Sequence, residues 1–83
     1  MRAEQLLPDE QNETKLAGVT VRKGTVGAFL ASARVLGTPD ASGAQRAEAR
    51  ADILAALPAL RALGLFEVLE IRDPALRAWV EAN

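Results

Sequence analysis

From Ile53 to Phe66 the chain is an almost unbroken apolar run in which Arg61 is the one charged side chain. Only burial stabilises so much adjacent Ile, Leu and Phe, so the segment belongs inside a fold or a subunit contact. It falls short of the roughly 18 or more residues that cross a bilayer. Pro58 lies within it; in a helix its ring clashes with the Leu54 carbonyl and removes a donor, at about 3 kcal/mol. A kink or a restart is therefore expected at Pro58.

The whole chain is 83 residues, enough for one domain that buries roughly 60–65% of its unfolded surface. Hydrophobic residues make up 49% of it, but Ala is a large share and contributes little burial. Small domains usually meet such a shortfall with disulfides, a metal or oligomerisation. With no Cys and no His, disulfides are excluded and zinc is disfavoured, which leaves oligomerisation. The same absences, with no Tyr, remove the usual acid–base and nucleophilic groups, and no spacing pairs the remaining Ser, Thr, Lys and carboxylates. A non-enzymatic protein without cofactor or metal is expected.

A net charge of -1 gives no drive toward nucleic acid or an anionic membrane. The charge is unevenly placed: Glu4, Asp9, Glu10 and Glu13 lie early, whereas residues 19–36 hold only Arg22, Lys23 and Arg34. The start of the chain lacks a signal-peptide core, so a cytoplasmic location is expected.

Residues 1–17 read as a polar arm, or as one or two helical turns that end at Gly18, ahead of a single domain over 18–83. Val19-Thr20-Val21-Arg22 reads as a short strand. Its partner is expected in Glu67 to Ile71 or in a second subunit. A helix follows from Thr25, whose hydroxyl suits the cap, with a stripe of Val26, Phe29, Leu30, Ala33 and Leu36 up to Gly37. Ser42 and Gln45 form a capping box for a long helix that Gly64 ends. Phe66 to Ile71 fits neither the helical nor the strand period. Asp73 and Pro74 start a last helix that buries Leu76, Trp79 and Val80. The fold class is mainly α: a small three-helix domain with a short N-terminal β strand or hairpin.

Lys23-Gly24-Thr25-Val26-Gly27-Ala28-Phe29-Leu30, then Leu57-Pro58 and Leu63-Gly64-Leu65-Phe66-Glu67, resemble a group of short bacterial proteins of unknown function. The similarity spans about residues 18 to 80 and implies a stand-alone small protein, with no activity attached.

Four features invite a functional reading. Arg22, Lys23, Gly24, Thr25 and Gly27 precede or open a helix whose amides could hold an anion, but the phosphate-loop spacing is missing and a turn with a cap explains them equally. Glu67, Glu70 and Asp73 are hard-ligand types that read more simply as a solvated face. Ala44 to Leu63 with Pro74 to Ala82 could form a helix-turn-helix, although the second helix offers only Arg77 as a base. Trp79 is a core plug or an interface anchor. The favoured reading is a homodimeric protein–protein interaction module with its contact at Val21, Ala28, Ser32, Val35, Leu54 and Trp79. A nucleic-acid-binding regulator and an anion binder at Lys23–Gly27 are the alternatives.

Overall fold

Alternation of inward and outward side chains sets up the first element of the fold. The computed structural model describes residues 13–83. It begins with a hairpin of β1 (Glu13–Leu16) and β2 (Val19–Arg22), paired antiparallel with Thr14 opposite Val21 and Leu16 opposite Val19. Thr14, Leu16, Val19 and Val21 turn inward, while Lys15, Thr20 and Arg22 are exposed. The partner of β2 is thus β1, not residues 67–71 and not a second subunit. The expected arm lies outside the described residues as far as residue 12.

The two-residue turn explains the pairing. Ala17 and Gly18 have φ of 50° and 78°, the left-handed pair that matches the right-handed twist of a hairpin. Gly18 adopts this freely, whereas Ala17 carries a Cβ that opposes it.

Four helices follow among the described residues: α1 (Thr25–Leu36), α2 (Gly43–Leu63), the single turn α3 (Leu65–Val68) and α4 (Pro74–Glu81). This is the mainly helical domain with a hairpin that the sequence implies, with α3 added. At α1 the expected hydroxyl cap is absent. Gly24, at φ 83°, takes the N-cap position without a side-chain bond, and the Thr25 hydroxyl instead donates backward to the Arg22 carbonyl at 2.7 Å. Thr25 therefore ties the hairpin to the helix. The capping box at α2 is present, with Gln45 N donating to Ser42 Oγ at 3.1 Å and Ser42 N to Gln45 Oε1 at 2.8 Å. Gly64, at φ 80°, closes α2. At α4, Asp73 Oδ1 accepts from the amides of Ala75 and Leu76 at 2.8 and 3.2 Å.

Pro58 does not divide α2. The helix runs without interruption from Gly43 to Leu63, and Pro58 sits on its exposed side, where the ring meets solvent and not the core. Residues 66–71, which fit neither period, form one helical turn and then leave it: Leu69 is already extended at φ -119° and ψ 147°.

The opposite side of α2 organises the core. Ile53, Leu57 and Leu60, buried on one stripe, meet Phe29 of α1 and Val80 of α4, with Leu36, Leu65, Phe66, Ile71, Leu76 and Trp79 packed around them. The hairpin also packs on α2. Two arginines of α2 reach the ends of its neighbours. Arg46 donates to the carbonyls of Leu36 and Thr38 at 2.8 and 2.7 Å, and Arg61 to those of Val80 and Asn83 at 3.1 and 3.3 Å. Cations at helix C-termini satisfy carbonyls that have no partner within the helix.

Two outcomes follow for stability. Leu60→Ala, which removes a fully buried side chain, should cost about 2–5 kcal/mol, a large part of the total for a domain of this size. Ala17→Asn should raise stability by about 0.5 kcal/mol, because Asn tolerates the left-handed turn better than Ala. Urea unfolding followed by circular dichroism reads both.

Candidate functional site

Helix α1 presents two faces with different fates. Phe29 and Leu36 enter the core, whereas Val26 and Leu30, on the same expected stripe, stay in solvent, Leu30 with 51% of its surface exposed. The reason is geometric: α2 covers only one side of α1, and α3 is too short to cover the rest. What remains is a groove of about 410 Å³ between α1 and residues 65–73. Phe66 forms its floor, its ring edge-on to Phe29 at 5.9 Å and 74°.

The groove is lined by Val26, Leu30 and Ala33 on one wall and by Leu65, Leu69 and Ile71 on the other. Leu69 is 58% exposed, and Val68 beside it 83%. Exposed apolar side chains scattered singly carry no meaning, but a cluster around one concavity does. Of the large hydrophobics exposed elsewhere among the described residues, Leu54 is the remaining one.

Charge at the rim is divided by its engagements. Glu70 pairs with Arg77 Nη1 at 3.1 Å, and the same nitrogen donates to the Ile71 carbonyl at 3.0 Å. Asp73 is occupied as the cap of α4. Arg34 and Arg72 also line the groove, and their guanidinium groups have no partner among the described residues.

The residues singled out from sequence are dispersed. Val21, expected at a subunit contact, is 1% exposed inside its own chain and cannot reach a second copy. Ser32 and Val35 face the first half of α2, in a cleft shared with Glu48, Ala49 and Asp52. Trp79 packs on the core and borders Arg46 and Arg50. Ala28 and Leu54 are exposed. Val21, Ser32, Val35 and Trp79 are thus at least partly used within the chain, and the set does not form one face.

The anion-site residues Arg22, Lys23, Gly24, Thr25 and Gly27 do sit together at the start of α1, but the Thr25 hydroxyl is committed to Arg22. Glu67, Glu70 and Asp73 are not gathered; among the described residues no three carboxylates are placed to hold a metal. Arg77, the base of the helix-turn-helix reading, is turned onto Glu70 and Ile71. Among the described residues no helix is long and apolar enough to cross a membrane.

If the groove residues serve contact and not folding, Leu69→Glu should change stability by less than about 0.5 kcal/mol, as exposed substitutions do. Phe66→Ala, which removes the floor, should cost over 1 kcal/mol. Paired urea titrations separate the two. Comparison with known proteins supplies no further guide: no family model, no curated protein and no solved structure matches the chain.

Proposed function

We propose that this chain is a non-enzymatic protein–protein interaction module that works as a homodimer, with the groove between α1 and residues 65–73 as its contact surface. One observation carries the reading. Val26, Leu30 and Leu69, which the chain leaves in water, line a single concavity, and Val68 is exposed next to Leu69 in sequence. Exposing them costs solubility and gains nothing for the isolated fold, whereas burying them against a partner is favourable at about 25 cal/mol per Å². The contact thus moves from the faces expected in sequence to this apolar concavity.

The test is absolute mass by light scattering or sedimentation, from low micromolar to millimolar. The wild-type chain should have twice the chain mass at the upper concentrations. Leu30→Glu should be monomeric and folded, because its side chain lies outside the core. Glu48→Arg and Leu54→Arg, away from the groove, should leave the dimer intact. A wild-type chain that stays monomeric throughout rejects the homodimer.

A further inference from the structure

We draw no further inference here: the strongest candidate, the apolar groove between α1 and residues 65–73 along which Val26, Leu30 and Leu69 are exposed, belongs to the site already described, and nothing in the structure shows what covers it.

Discussion

Burial of the Ile53-Leu57-Leu60 stripe of α2 is the contact on which the rest of the domain depends. Phe29 of α1 and Val80 of α4 join this stripe in one buried cluster, and the hairpin packs on the same helix. A fold this small has few buried side chains to spare. The polar ties at its edges, Arg46 to the end of α1 and Arg61 to the end of α4, issue from α2 as well. The long helix is both the core and the strut to which shorter elements are fastened, and helices as short as α4 are held by such packing more than by propensity.

The groove is a consequence of that arrangement. One long helix can shield one side of α1, and the chain that returns along the other side does so as a single turn followed by extended backbone. Gly64 ends α2 and allows the reversal. Leu65, Phe66 and Ile71 then pack against the core, but Val68 and Leu69 are left facing outward because one helical turn cannot bury all of its sides. The same short segment that completes the core thus creates the exposed apolar surface.

Much of this was legible in the residues. The capping box at Ser42 and Gln45, the stop at Gly64 and the Asp73-Pro74 start are local chemistry, and local chemistry is readable from neighbours in sequence. The hairpin partner was not, because Glu13 to Leu16 is four residues with polar outward positions and a turn, Ala17-Gly18, that lacks the usual Asn or Asp. Thr25 reads as a cap because its hydroxyl has two bonding options, forward to the helix amides or back to Arg22, and with Gly24 at the N-cap it takes the second. Val21 reads as a contact residue because a short sequence gives no sign of how much surface a hairpin can find within its own chain, where Val21 is 1% exposed. For Pro58, sequence gave the position in the helix but not its orientation, and orientation toward solvent is what lets α2 continue.

The groove itself had a sequence signal of an indirect kind. A stretch such as Phe66 to Ile71, rich in apolar residues yet matching neither helical nor strand spacing, cannot place all of its apolar side chains on one face of a regular element. Some of them must remain exposed unless other parts of the fold close over them from several sides, and among the described residues nothing closes over Val68 and Leu69. Failure of both periods in an apolar segment after a helix-terminating Gly is therefore informative. In this chain it coincides with Val68 and Leu69, which stay exposed, as does Leu30 of α1.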